Sequence, residues 1–173
     1  MLLIFIGYVF VFLNFQFNGF DLLADFIGYI LIYFGLGKLP QEINFVSAKP
    51  YVLFLALLNF LYSIGGNWIP PIVLIGMGLL NMAMSLFIIF MFNAGIKEIE
   101  RCSHTYLKAD KLSSTWRLIL IFTIGNGVIT LIPIEMLQIT ASMFGMAATI
   151  MQIVYLFHLI GVKEAMDQMG QEV

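Results

Sequence analysis

Three carboxylates in this chain could bind a positively charged solute, because each lies at the edge of an apolar stretch and away from Lys and Arg. They are Asp21, Asp25 and Glu135. Asp21 and Asp25 are four residues apart, so on a helix they share a face. A helix N-terminus stabilises carboxylates through its dipole, and this capping role is the alternative to a cation site. Asp25 is the stronger site candidate, because it lies a full turn deeper in an apolar helix, where ionisable groups are often functional.

Glu135 lies in the short turn between the last two apolar stretches. Its neighbours Ile134 and Met136 are apolar, which favours a partly buried carboxylate at the membrane interface. An exposed loop carboxylate is the other interpretation. In the first case Glu135 joins the two aspartates in one acidic site.

Three amides lie near the middle of apolar stretches: Asn81, Asn126 and Gln152. Buried amides need hydrogen-bond partners, so they either tie neighbouring helices together or line a polar pocket. Asn126 is flanked by Gly125 and Gly127, which weaken a helix, and transporters often place substrate beside such breaks. The sequence leaves both roles open.

These residues must be positioned by six apolar stretches, each about the length of a membrane helix or somewhat shorter. The stretches cover about residues 2–17, 21–39, 51–64, 70–96, 116–134 and 137–162. Short links join them in pairs, which predicts an all-α fold of six transmembrane helices in three hairpins. The whole chain, residues 1–173, is expected to form a single domain, with a cytoplasmic polar link at about 97–115.

The basic residues orient this arrangement, because cytoplasmic loops retain Lys and Arg. All eight fall on one side, in the second link, in the fourth link and after the last stretch: Lys38, Lys49, Lys97, Arg101, Lys108, Lys111, Arg117 and Lys163. Both termini are therefore predicted to be cytoplasmic, and the three acids above to be on the outer side.

The composition agrees with a chain that lies in a lipid bilayer. Hydrophobic residues make up 61% of it and charged residues 10%, against about 25% charged residues in an average soluble domain. The net charge of −2 is too small to indicate a nucleic-acid partner. Cys102 is the single cysteine, and no nucleotide-binding loop or zinc motif occurs, so no cofactor is expected.

Small residues at helical spacing predict where helices pack closely. One such seam is Gly28 with Gly35, and another is Gly76 with Gly78. A third follows Ala141, Gly145 and Thr149. Such seams serve packing within the chain, or they hold a membrane-protein partner or a second copy.

The stretch Asn18-Gly19-Phe20-Asp21-Leu22-Leu23-Ala24-Asp25-Phe26-Ile27-Gly28-Tyr29-Ile30 resembles a segment of small uncharacterised six-helix integral membrane proteins of Gram-positive bacteria. The position of Ala24 is often Pro in those proteins. The resemblance implies a bacterial plasma membrane and comes with no known activity.

The residues favour a protein that binds or transports a small solute, especially a cation, through an outward-facing polar pocket. The pocket would use Asp21, Asp25, Glu135 and the three amides. One alternative is a non-catalytic accessory or assembly subunit that acts through the small-residue seams. The other is an intramembrane enzyme, for which Glu135 and His158 are the available acid or base groups. His158 is otherwise an interfacial residue, or part of a proton path with Tyr155 and Gln152.

Overall fold

The protein is almost entirely helical in the computed structural model, which describes residues 1–12, 16–17, 20–21, 25–65, 70–130, 132 and 135–169. In these ranges there are six helices: α1 (Leu2–Phe12), α2 (Asp25–Leu36), α3 (Ile43–Gly65), α4 (Pro71–Ser103), α5 (Ala109–Thr130) and α6 (Glu135–Met169). Two short strands, β1 (Gln16–Phe17) and β2 (Phe20–Asp21), pair antiparallel between α1 and α2. The helical prediction is confirmed, and the small strand pair was not anticipated.

Four of the described helices are long and apolar enough to cross a membrane. The candidate spans are Ile43–Ile64, Ile72–Ser103, Ala109–Thr130 and Leu137–Gln168. A hydrocarbon core of ~30 Å needs about 20 helical residues. The remaining helices, α1 and α2, are apolar but have only 11 and 12 residues. Each therefore covers roughly 16 to 18 Å, about half of that thickness.

Helix α3 begins eight residues before the predicted start at residue 51, and it contains Pro50. Glu42 explains the early start, because it caps the helix in two ways. Its carboxylate accepts a hydrogen bond from the Asn44 backbone N–H at 2.8 Å, and its carbonyl accepts from the N–H groups of Phe45 and Val46 at 3.1 Å. Pro50 has no N–H to donate to the Val46 carbonyl, so the first turn of α3 lacks this hydrogen bond. The cap at Glu42 stabilises that turn instead.

The polar segment predicted at about 97–115 is helical on both sides of a five-residue connection, 104–108. His104 ends α4 in the left-handed conformation, with φ of 53°, which histidine adopts more readily than most residues. Lys108 has φ of 62°. Its carbonyl accepts hydrogen bonds from the N–H groups of Lys111 and Leu112 and so begins α5.

The chain divides into two compact units. The first, residues 1–105, contains α1 to α4, and within it α1 contacts α2, α2 contacts α3, and α3 contacts α4. The second, residues 106–173, contains α5 packed against α6.

In the first unit, two glycines bring the backbones of α1 and α2 into direct contact. A Cβ atom on Gly28 would lie 2.8 Å from the Gly7 carbonyl oxygen, and one on Gly7 would lie 2.6 Å from the Gly28 carbonyl oxygen. Gly35 continues this contact two helical turns further along the same face of α2, against Ile4. The seam predicted at Gly28 and Gly35 is thus a contact within the chain.

Aromatic rings fill the centre of the same unit. Phe45 of α3 packs against Gly95 of α4, and the rings of Phe45 and Phe92 lie 5.7 Å apart. Phe92 also meets Tyr8 of α1 edge-on at 6.1 Å. The side chains of Phe45, Phe92 and Tyr8 are buried, so this cluster joins α1, α3 and α4.

In the second unit, Gly125 of α5 receives the ring of Phe144 from α6, at 2.5 Å from a Cβ placed there. Gly145 of α6 lies opposite Asn126 less tightly, since a Cβ placed there would be in ordinary contact at 3.6 Å. By contrast, a Cβ on Gly76 or Gly78 would meet nothing within 4 Å in the described structure. The seam predicted on α4 is therefore not a contact within the described chain.

The Gly7–Gly28 contact makes a prediction about stability. Gly28→Ala should lower the free energy of unfolding by about 1 to 3 kcal/mol, because the added methyl group overpacks against backbone that cannot rotate away. Thermal unfolding of the purified protein in detergent, followed by circular dichroism, measures the change.

Gly78→Ala is the matched control, since the new methyl group meets no neighbour. It should leave the melting temperature unchanged or raise it slightly, because alanine favours a helix over glycine. Equal losses in the two variants would contradict close packing at Gly28.

Candidate functional site

Asp25 is the predicted acid whose side chain the structure describes. It is the first residue of α2, and its Oδ1 atom is buried in the first unit. Asp25 and Tyr8 both interact electrostatically with Tyr29, whose side chain is also buried. The carboxylate thus lies close to the Tyr29 phenol, with one of its oxygens buried. Asp21 belongs to β2, and its side chain lies outside the described structure.

Tyr29 also lies near Ser85 of α4. The Ser85 hydroxyl donates its hydrogen to the Met82 carbonyl at 3.0 Å. Tyr8 and Tyr29 were missed as site residues. The sequence held a signal for Tyr29, which follows Asp25 by one helical turn, but none for Tyr8.

Asn81 of α4 binds another helix. Its Oδ1 accepts a hydrogen bond from Asn59 Nδ2 of α3 at 2.9 Å, and the same Nδ2 donates to the Leu55 carbonyl at 2.8 Å. Both hydrogens of the Asn59 amide are thereby used. Of the two roles open for Asn81, the described contacts show the helix-bridging one.

Asn126 lines an open groove of about 540 Å³ between α5 and α6 in the second unit. Five polar side chains contribute to its wall, along with small and apolar residues. The lining residues are Asn126, Thr130, Gln138, Ala141, Ser142, Gly145, Met146, Thr149 and Ile150. Gln138 and Thr149 are 11 residues apart, so the groove follows α6 for roughly 16 Å.

The hydroxyl groups of this groove all donate to their own helix. Thr130 donates to the Asn126 carbonyl at 2.8 Å, Ser142 to the Gln138 carbonyl at 3.0 Å and Thr149 to the Gly145 carbonyl at 3.1 Å. A hydroxyl has one hydrogen and two lone pairs. These side chains can therefore still offer a ligand their oxygen lone pairs, which accept hydrogen bonds.

The two amide side chains of the groove, those of Gln138 and Asn126, have different partners. Gln138 donates from Nε2 to the Ile132 carbonyl at 3.0 Å, beside the turn that joins α5 and α6. Asn126 faces Gly145, and a Cβ placed on that glycine would be in ordinary van der Waals contact with Asn126 Nδ2 at 3.6 Å. Its Oδ1 is 3.5 Å from the Thr130 hydroxyl. Asn126 is thus the groove residue of α5 that faces α6 at its glycine.

The other predicted site residues of this unit lie on α6. Glu135 is its first residue, three positions before Gln138, and its side chain lies outside the described structure. Gln152 lies three residues beyond Thr149 and is not among the described residues that line the groove. The groove therefore brings together Asn126 with Thr130, Ser142 and Thr149, which were not named as site residues from the sequence.

At the other end of this unit, His158 of α6 contacts Thr115 of α5. His158 Nδ1 and Thr115 Oγ1 are 2.9 Å apart, and Thr115 donates its hydrogen to the Lys111 carbonyl at 2.9 Å. His158 therefore donates from Nδ1, which fixes its tautomer when the ring is neutral. A proton path with Tyr155 and Gln152 was the other expectation for His158, and the described hydrogen bond leads instead to α5.

Within the described ranges, no group of three or more His, Cys, Asp and Glu side chains is placed to hold a metal ion. Taken together, the long apolar helices and their buried polar contacts have the polytopic character of a helical membrane protein. No known protein family, curated protein or solved structure matches the chain.

The Asn59–Asn81 bond predicts a measurable coupling between α3 and α4. In a double-mutant cycle with Asn59→Leu and Asn81→Leu, we expect a coupling free energy of about 0.6 kcal/mol, which is typical of such bonds inside membranes. Equilibrium unfolding of the four proteins in mixed micelles measures it. Additive effects of the two substitutions would show that the amides do not stabilise each other.

Proposed function

We propose that this protein binds small cations in the α5–α6 groove and carries them across a membrane. The observation that supports this most directly is the use of the hydroxyl hydrogens of Thr130, Ser142 and Thr149 by carbonyls of their own helices. The groove then presents oxygen lone pairs, and these suit a metal cation or an ammonium group, which has hydrogens to donate.

The charge of the groove supports the same ligand class. No Lys or Arg is among its described lining residues, so no fixed positive charge there opposes a cation. An anion would face the same hydroxyl oxygens. Apart from the amide groups of Asn126 and Gln138, it would gain a hydrogen bond only if a hydroxyl gave up its carbonyl partner. We therefore favour cations over anions as ligands.

The size of the groove favours a small ligand. Its volume of about 540 Å³ is within the range of roughly 300 to 1,000 Å³ of small-molecule sites. Ala141 and Met146 add apolar wall beside the hydroxyls, which suits the methylene groups of an organic ammonium ion. A methylated or alkyl ammonium ion combines both features.

The orientation of the protein in the membrane is inferred from the charge distribution of the chain. The groove extends toward the α5–α6 turn, and the basic residues of the second unit lie toward its other end and in the last helix. Under the positive-inside rule, the turn is extracellular and both termini are cytoplasmic. We place the protein in a bacterial plasma membrane because residues 18–30 resemble a segment of membrane proteins of Gram-positive bacteria, with Glu135, Asp21 and Asp25 as outer acids that attract cations.

An accessory or assembly role is the alternative, and it needs a small-residue seam that is available to a partner. Gly28 is in contact with Gly7, and Gly145 with Asn126. These two seams serve packing within the chain, so the alternative would have to use the third, at Gly76 and Gly78 of α4, which meets no neighbour in the described structure.

The groove predicts a loss of binding when its oxygens are removed. The double variant Ser142→Ala/Thr149→Val keeps nearly the same shape, and we expect it to weaken binding at least tenfold, because each lost hydrogen bond to a charged group is worth about 1.5 kcal/mol or more. Equilibrium binding of radiolabelled rubidium and methylammonium to the protein in nanodiscs measures the affinity, and uptake into proteoliposomes measures transport.

Thr140→Val is the matched control, because Thr140 lies on the same helix but does not line the groove. It should bind both cations as the unchanged protein does. Binding that survives in the double variant, or that falls equally in the control, would refute the groove as the cation site.

A further inference from the structure

Two lysines, Lys108 and Lys111, lie where α5 begins, far from the groove along the same helix pair. His158 of α6 is within electrostatic range of both. The contact between His158 and Thr115 at 2.9 Å, one helical turn after Lys111, holds the two helices together at this level. This contact fixes the register of α5 on α6 beside the two lysines.

The backbone of Lys108 is in an unusual conformation, and Gly161 gives its side chain room. With φ of 62°, Lys108 occupies the left-handed region that few residues other than glycine adopt. Its Nζ atom lies 3.5 Å and its Cδ atom 3.7 Å from where a Cβ of Gly161 would be. The Lys108 side chain thus lies against α6 at Gly161. Backbone conformations of this kind cost energy and cluster at ligand-binding positions.

No carboxylate neutralises these lysines in the described part of the chain. Lys163, at the same end of α6, forms an ion pair with Asp167 at 3.0 Å. Lys108 and Lys111 form none there, although Asp110 lies between them in the first turn of α5. Like charges held close together repel one another, and a bound anion would relieve this repulsion.

We propose that Lys108 and Lys111, beside His158, bind a phosphate group, carried by the headgroup of an anionic phospholipid or by free phosphate. Lysine binds phosphate well as a compact point charge. The cluster also lies at the end of two apolar helices, where lipid headgroups are found, and basic pockets between membrane helices bind such headgroups. This site is independent of the cation groove.

Titration of the detergent-solubilised full-length protein with phosphatidylglycerol tests the proposal, with native mass spectrometry to measure the bound fraction. Phosphatidylcholine is the reference lipid, and a parallel titration with inorganic phosphate, followed by phosphorus nuclear magnetic resonance, separates the two sources. We expect Lys108→Gln or Lys111→Gln to weaken binding of the preferred probe roughly fivefold, and the double variant roughly 25-fold.

Lys163→Gln is the control for charge alone, because it removes one positive charge from the same end of the unit but from an existing ion pair. It should leave the affinity within twofold. Gly161→Leu tests placement, since it preserves every charge and displaces the Lys108 side chain, and we expect a loss like that of Lys108→Gln. The Gly161→Ala variant, whose added methyl group fits at 3.5 Å from Lys108 Nζ, should bind the preferred probe as the unchanged protein does. That result would show that the helix tolerates substitution at this position.

The proposal is overturned if the double variant binds both probes as the unchanged protein does. It is also overturned if Lys163→Gln loses as much affinity as Lys108→Gln, because binding would then follow total charge. Circular dichroism and thermal unfolding of each variant separate loss of the site from loss of the fold.

Discussion

Six hydroxyl groups of the described helices give their hydrogens to carbonyls of the preceding helical turn. The pattern holds for Ser85, Ser103, Thr115, Thr130, Ser142 and Thr149, each of which donates three or four residues back. In an apolar environment a hydroxyl hydrogen has no water to bind, so the nearest free lone pair on its own helix takes it. The oxygen is then left to accept, and its neighbours must donate.

This single constraint decides the direction of the hydrogen bonds in two places. It makes His158 the donor toward Thr115. It also gives the α5–α6 groove its surplus of acceptors. A groove with the same residues in water could turn its hydroxyls either way, and it would have no preference between donors and acceptors. The selectivity that we propose for cations comes from the helix backbone as much as from the side chains.

The sequence predicted the helical class well, because long apolar stretches leave few alternatives, and the described structure contains six helices. It predicted helix ends less well. Pro50 suggested a boundary, whereas the Glu42 cap eight residues earlier determines where α3 begins. Local composition does not reveal such a cap, because glutamate is not a usual N-cap residue.

The candidate site was harder to predict, because it depends on which helix faces which. Asn81 was recognised as a polar residue in an apolar helix, but its partner Asn59 is 22 residues away and was found only from the register between α3 and α4. Asn126 was predicted as a site residue. Two of the three hydroxyls that share its groove, those of Ser142 and Thr149, come from the other helix, where Thr and Ser look like ordinary small residues. The register between two helices depends on close contacts such as that of Phe144 with Gly125, and the sequence of one helix does not encode it.

The lengths of the helices in the first unit have a consequence for the response to the bilayer. Helix α4 has 33 residues and is about 50 Å long, which exceeds a hydrocarbon core of any usual thickness. It can tilt more as the bilayer thins and less as it thickens, and still span it. Helices α1 and α2, locked together through Gly7 and Gly28, are too short to do so. A change in lipid chain length would therefore displace mainly this short pair of helices. It would displace with them Asp25 at the start of α2, one oxygen of which is buried.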